Sequence, residues 1–336
     1  MDDGAQWQSE DASMVPTWRG YLRHGAFLFL TFCTATFAGM IFPFGQVDTL
    51  PDADPQSWAE LANFIFSLPV KYVLLIGGVF ERVAADPGLL FYGLCFSTSL
   101  LFILLAHELG HYIACRIYRV DATLPYFIPT PPMVGPAGTF GAFIKIRSPM
   151  PSRKAVFDIG VAGPIAGFVA LIPVLILGVI TSPILQNIYF GIQFSKPLLV
   201  QFFESLIRIE MQQGIGNPFY FAAWVGLLVT ALNLIPSGQL DGGHAIYAVF
   251  GGGVHRWTGR IAFAVMAVLS ILGWFIFSSP SGFLIAILLG VMMRIKHPRP
   301  YDETPLDNKR RLIAVLVLLM FILSFVPFPL GLEIEF

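Results

Sequence analysis

The chain has 336 residues, 56% of them hydrophobic and only 12% charged, with a mean hydropathy of +0.72. Soluble domains carry roughly 25% charged residues, so this composition excludes a soluble globular protein and indicates an integral membrane protein. A formal net charge of −1 gives no basis for a nucleic-acid partner, and three cysteines set in apolar segments (Cys33, Cys95, Cys115) exclude a disulfide framework.

The first 24 residues are polar and partly acidic (Asp2, Asp3, Glu10, Asp11), unlike the short basic leader of a secreted precursor. Apolar runs long enough to span a hydrocarbon core follow at 25–43, 89–115, 155–180, 217–236, 259–277 and 312–327. A shorter run, 282–295, comes after the turn Ser278-Ser279-Pro280-Ser281. The expected fold class is therefore an all-α polytopic membrane protein of about seven transmembrane helices. Segment 58–81 is mixed and carries Pro69, and is expected to break there into an interfacial or re-entrant element, with a true span as the alternative. The stretch 120–152, rich in Pro and Gly around Gly138-Thr139-Phe140-Gly141, reads as a bent β-loop with Ala142–Ile146 as its best strand.

With seven spans and a cytoplasmic N-terminus, only Lys71, Arg82, Lys196 and Arg208 fall on the far side, and the other sixteen basic residues are cytoplasmic. The basic cluster Arg294–Arg311 reads as a topology determinant. Asp158 reads as a cap or interfacial residue at the start of the third span.

Within the second span lies His107-Glu108-Leu109-Gly110-His111. Residues i and i+4 share a helix face, so both imidazoles reach one metal ion, with Glu108 beside it as an acid/base. Ionisable groups at that depth are costly, which favours function over chance. The pair lies about 10 Å below the cytoplasmic surface at ~1.5 Å per residue. A catalytic zinc takes three protein ligands plus water, so one ligand is missing. Asp241, in Asn233-Leu234-Ile235-Pro236-Ser237-Gly238-Gln239-Leu240-Asp241-Gly242, follows the fourth span and arrives at the same level. Its alternative is a helix cap.

These two motifs together resemble those of the site-2 protease-type intramembrane zinc metalloproteases, which pair HExxH on one membrane helix with NxxPxxxLDG on a later one. The resemblance implies a three-helix catalytic core at 89–115, 155–180 and 217–236, one Zn2+ held by His107, His111 and Asp241, and Glu108 as the catalytic residue. It further implies a role for Asn233 in steadying the zinc shell or polarising the substrate carbonyl; a helix-to-helix hydrogen bond is the alternative. LPYFIP, GTFGA and FDIGVAGPIAG resemble a branch without PDZ domains, found in bacteria, cyanobacteria and plant chloroplasts.

The implied activity is cleavage of peptide bonds in or next to transmembrane segments of membrane proteins, as in regulated intramembrane proteolysis. The partners are a transmembrane protein substrate and the lipid bilayer. A substrate helix must unwind to be cut, and the Gly138–Ile146 loop, with Gly138, Thr139, Phe140 and Gly141 at its head, is the candidate edge for pairing with it, or else a loop that seals the site. Gly160, Gly163 and Gly167 read as a close-packing stripe. His244 reads as a solvated or helix-end histidine, or as a partner to Asp241. The competing functions are a catalytically silent scaffold of the same fold and a transporter. The intact His, Glu, His and Asp argue against the first, and their concentration at one depth argues against the second. The expected organisation is 1–87 (cytoplasmic tail, first helix, interfacial segment), 88–250 (protease core) and 251–336 (C-terminal helices), in a bacterial cytoplasmic membrane with the active site toward the cytoplasm.

Overall fold

The computed structural model describes residues 17–41, 57–131, 137–181, 192–207, 217–277, 281–295 and 297–332. The acidic tail, Arg208, Lys296 and most of the turn at 278–281 lie outside the described residues. Ten helices and four short strands are described: α1 (Trp18–Ile41), α2 (Trp58–Ala85), α3 (Gly88–Ile117), β1 (Tyr126–Pro129), β2 (Thr139–Phe143), α4 (Arg153–Thr181), β3 (Ile192–Phe194), α5 (Leu198–Ile207), α6 (Pro218–Asn233), α7 (Asp241–Phe250), α8 (Gly252–Phe277), α9 (Ser281–Met292), α10 (Asn308–Ser324) and β4 (Leu330–Leu332). Helices α1, α2, α3, α4 and α8 are long and apolar enough to cross a membrane. The chain is an integral membrane protein.

The centre is an α3–α4–α6 sandwich, with α1 on the far side of α3. Its core stacks Phe96 on Phe221 at 4.8 Å and closes around Leu100, Leu171, Trp224 and Leu227. A second cluster around Cys115, Phe157 and Ala248 joins α3, α4 and α7, and includes Leu306 and Val317 from the C-terminal segment. The start of α6 is fixed by Asn217, whose Oδ1 accepts from the backbone N–H groups of Phe219 (2.9 Å) and Tyr220 (3.2 Å), with Pro218 following. The helix stops at Asn233, well short of a full span, because the turn 234–240 carries Pro236 and a Gly238 at φ +57°.

Segment 58–81 does not break at Pro69. It belongs to one 28-residue helix, N-capped by Ser57, whose side chain accepts from Glu60 N–H. A proline removes one backbone hydrogen bond, and the apolar residues on both sides carry the helix through it. Val79 is its one buried residue, so α2 barely packs on the bundle.

The β-loop forms as an antiparallel hairpin, with Tyr126 opposite Phe143 and Phe127 opposite Ala142. The regular strand is Thr139–Phe143, earlier than Ala142–Ile146. Pairing nevertheless continues through Thr123 N–H to Lys145 O (3.0 Å) and an isolated bridge between Ala122 and Ile146. The hairpin leans on α1. His24 Nδ1 donates to Pro125 O at 2.9 Å, and Thr34 Oγ1 donates to Gly138 O at 2.8 Å. Gly138 sits at φ +65°, and a Cβ there would lie 2.3 Å from Thr34 O. A second small sheet, β3 with β4, was not anticipated.

Contacts also fix helix directions. The early part of α1 meets the chain just beyond α3, while Thr36 and Gly39 meet Ser97, Phe96 and Gly93 near the start of α3. The two helices therefore run antiparallel. Helix α4 returns beside α3, with Tyr118 next to Asp158 and Gly110 next to Ala162.

Candidate active site

His107 and His111 lie one helical turn apart on the face of α3 that meets α4, and both are buried with Glu108. Glycines let α4 come close enough to confine the rings. A Cβ on Gly163 would lie 2.1 Å from His111 Nε2, one on Gly167 would lie 3.0 Å from His107 Cβ, and one on Gly110 would lie 2.4 Å from Ala162 O. The small-residue stripe expected to be purely structural is thus the wall against which both imidazoles rest.

Asp241 reaches the same point from the first turn of α7. The turn before it is tight: a Cβ on Gly242 would lie 2.0 Å from Leu234 O, and one on Gly243 would lie 2.5 Å from Gly238 O. Instead of capping the helix, the Asp241 carboxylate lies 3.3 Å from His107 Nε2 and 3.3 Å from His111 Nε2, and those two nitrogens are 3.1 Å apart. Among the described residues this is the one group of three such ligands close enough to share a metal ion. Glu108 Oε1 lies 4.0 Å from His107 Nε2, and the side-chain amide nitrogen of Asn233 lies 3.3 Å from the same atom.

The donor set fits a divalent cation. Four-coordinate zinc with bonds of about 2.0–2.1 Å separates its ligand atoms by about 3.3–3.4 Å, close to the distances found. The tautomer agrees. His111 Nδ1 lies 2.7 Å from the Ile159 carbonyl, which only accepts, so Nδ1 carries the proton and Nε2 presents a lone pair. In the neutral ring that lone pair faces the Asp241 carboxylate, a repulsion that a shared metal ion, or a proton on Nε2, relieves. The Ile159 carbonyl left no signal in the sequence, since any residue type supplies one.

The three groups stand at the end of a cavity of about 550 Å³. Its lining includes the hairpin from Ala142 to Ile146, Ile159 and Gly160 of α4, Leu240, and His244 of α7. Gly138, Thr139, Phe140 and Gly141 lie farther along the hairpin and do not line it. Lys145 directs its backbone toward Thr123, and Arg147 N–H donates to Asp121 O at 2.8 Å. By strand alternation, Ile144 and Ile146 turn their N–H and C=O groups away from that partner and toward the cavity, where the Ile144 N–H donates to the Glu108 carboxylate.

Residues 95–274, a little over half of the chain, match the family described as Peptidase family M50. The chain belongs to this family. It is 28% identical over 282 residues to the rice (Oryza sativa subsp. indica) protein named "Probable zinc metalloprotease EGY2, chloroplastic", covering 81% of this chain and 50% of that one. It is 29% identical over 242 residues to the Arabidopsis thaliana protein named "Probable zinc metalloprotease EGY1, chloroplastic", covering 68% and 42%. The chain spans half or less of the length of these relatives. The M50 match contains both motifs, the HELGH of α3 and the NLIPSGQLDG that closes α6 and opens α7.

The remaining expected residues take other roles. Asp158 pairs with Arg310 (Oδ2 to Nη2, 2.6 Å; Oδ1 to Nε, 2.9 Å) and accepts from Tyr118 Oη, binding the start of α10 to α4 and to the end of α3. His244 bonds His297, 2.7 Å away, in the segment between α9 and α10. His297 is drawn down to about 3 by burial, with His244 and His255 adding to the shift.

Proposed function

We propose that this chain is a zinc metalloendopeptidase of the site-2 protease type that cleaves membrane proteins within or beside their transmembrane segments. The observation that carries this reading is the convergence of His107, His111 and Asp241, with Glu108 alongside, in a cavity also lined by the hairpin edge. Zinc held by the three ligands would supply Lewis acidity toward a water and the scissile carbonyl. Glu108 takes the proton of the attacking water and delivers it to the departing amine. Asn233 offers its amide N–H beside the metal position, where it can donate to the carbonyl oxygen as charge develops. An unwound substrate segment pairs with the remaining outward backbone groups of Ile144 and Ile146, which satisfies polar groups that its own helix no longer does.

The reading includes regulated intramembrane proteolysis as the cellular setting and residues 88–250 as the protease core. It also includes a topology of seven crossings: α1, α3, α4, α6, α8, α9 and α10. Because α1 and α3 are antiparallel, an even number of crossings separates them. The link 42–57, with Asp48, Asp52 and Asp54, is too polar to supply one. Helix α2 therefore lies along the interface despite its length. The side rich in Lys and Arg, to which the cavity opens, is cytoplasmic, and the compartment is a bacterial cytoplasmic membrane.

The test is a comparison of new N-termini in membranes from cells expressing wild type or Glu108→Gln. New termini mapping to transmembrane segments of membrane proteins, present only with wild type, support the assignment. Identical sets of termini contradict it.

A further inference from the structure

We propose that His244 is a substrate-binding residue whose bare Nε2 accepts a backbone N–H from the edge of the extended substrate that faces away from the hairpin. This rests on the peptidase reading above and names a contact within that same cavity.

The tautomer follows from a chain of three groups. His297 Nδ1 lies 2.8 Å from Pro298 O, a carbonyl that only accepts, so Nδ1 carries the proton and His297 Nε2 is an acceptor. His244 Nδ1, 2.7 Å from that nitrogen, must then be the donor. A neutral His244 is left with a lone pair on Nε2. That atom has no partner among the described residues, yet it is absent from the polar atoms sealed without one, and His244 lines the cavity. The base of the side chain abuts α4, since a Cβ on Gly160 would lie 2.7 Å from His244 Cβ, and its partner His297 is itself stacked on Tyr247 at 4.0 Å. An acceptor held by its partner is therefore displayed in the cavity that Ile144 and Ile146 also line.

Strand geometry supplies its ligand. In an extended segment, successive N–H groups point to opposite edges, so pairing one edge with the hairpin leaves the other facing α7. N–H groups buried on binding and left unmet are costly. His244 meets one of them, and His297 acts through it as a positioning residue.

The probes are an extended peptide hydroxamate, its singly N-methylated analogues, and acetohydroxamate, which carries the chelating group without the peptide. Each is titrated against zinc-loaded full-length protein. For His244→Leu the peptide hydroxamate should bind about tenfold more weakly, the value of one hydrogen bond, with acetohydroxamate affinity and zinc content unchanged. His244→Gln, which keeps an acceptor, should restore most of the loss. One N-methyl analogue should lose about tenfold on wild type and nothing further on His244→Leu. Unchanged peptide hydroxamate affinity in His244→Leu, or a full N-methyl penalty in that variant, overturns the inference. Wild type that binds neither hydroxamate contradicts the peptidase reading and takes this inference with it. In folded wild type, 15N spectra of histidine-labelled protein should give His244 a protonated Nδ1 and a bare Nε2. His297→Leu should scramble that pattern and His297→Gln should preserve it. The reverse tautomer in wild type also overturns the inference.

Discussion

Gly163 of α4 and His111 of α3 are packed so closely that a methyl group at residue 163 would lie 2.1 Å from His111 Nε2, the atom that faces His107 and Asp241. The absence of a side chain at Gly163 is thus a property of the metal site as much as of helix packing. Gly163→Ala is expected to lower zinc affinity at least tenfold, because either the ring or the helix must move. Gly25→Ala, where a Cβ meets nothing within 4 Å, serves as the control and should leave zinc content unchanged. Metal analysis of the purified variants checks both.

Glu108 stands beside the ligand atoms at 4.0 Å from His107 Nε2. Glu108→Gln keeps the volume and removes the proton acceptor. Zinc content should match wild type, while cleavage of a membrane substrate falls about 10²–10⁴-fold. Zinc titration and a cleavage assay on one preparation separate the two effects.

The Asp158–Arg310–Tyr118 cluster joins α4, α10 and the end of the histidine-bearing helix, with about a quarter of the Asp158 and Arg310 side chains exposed. Removing Arg310 leaves the Asp158 carboxylate without its cation and should cost about 1–3 kcal/mol, whereas removing Asp158 leaves Arg310 still paired with Asp307 and should cost less. The double variant Asp158→Ala/Arg310→Ala should cost less than the sum of the singles. Thermal unfolding in detergent measures the coupling.

His297 lies in the segment joining α9 to α10, and its pKa falls from the ordinary 6.5 to about 3 when it is packed against His244 and His255. Released, the ring binds a proton below about pH 6.5; packed, it does not. The stability of the packed segment is therefore complete above that pH and is lost as pH falls toward 3. Corrected for the intrinsic exchange rate, which itself falls with pH, the opening of residues 297–307 measured by hydrogen exchange should rise on acidification in wild type, and His297→Leu should abolish this pH dependence.

The sequence made some of this legible because the relevant spacings are local. His107 and His111 share a face by helix period alone, and Asp241 could be paired with them because it follows a run of similar length. The hairpin was visible in the Gly and Pro content of 120–152. Which part of the Gly138–Ile146 loop lines the cavity, Ile144 and Ile146, depends on its register against Asp121 and Thr123, which composition does not encode. Pro69 suggested a break that flanking apolar residues override. The glycine stripe at 160, 163 and 167 was evident, but its partners, His244, His111 and His107, follow from inter-helix register. Arg310 looked like one charge in a basic cluster until its pairing with Asp158 singled it out. His297, 53 positions after its partner, left no local signal.

The central claim is that His107, His111 and Asp241 hold one metal ion, and metal content needs no knowledge of the substrate. Detergent-purified wild type should bind about one zinc per chain, and Asp241→Ala should bind it at least tenfold more weakly while retaining its helical content. Wild type that takes up no zinc after reconstitution, or Asp241→Ala that holds it as tightly as wild type, would contradict the account.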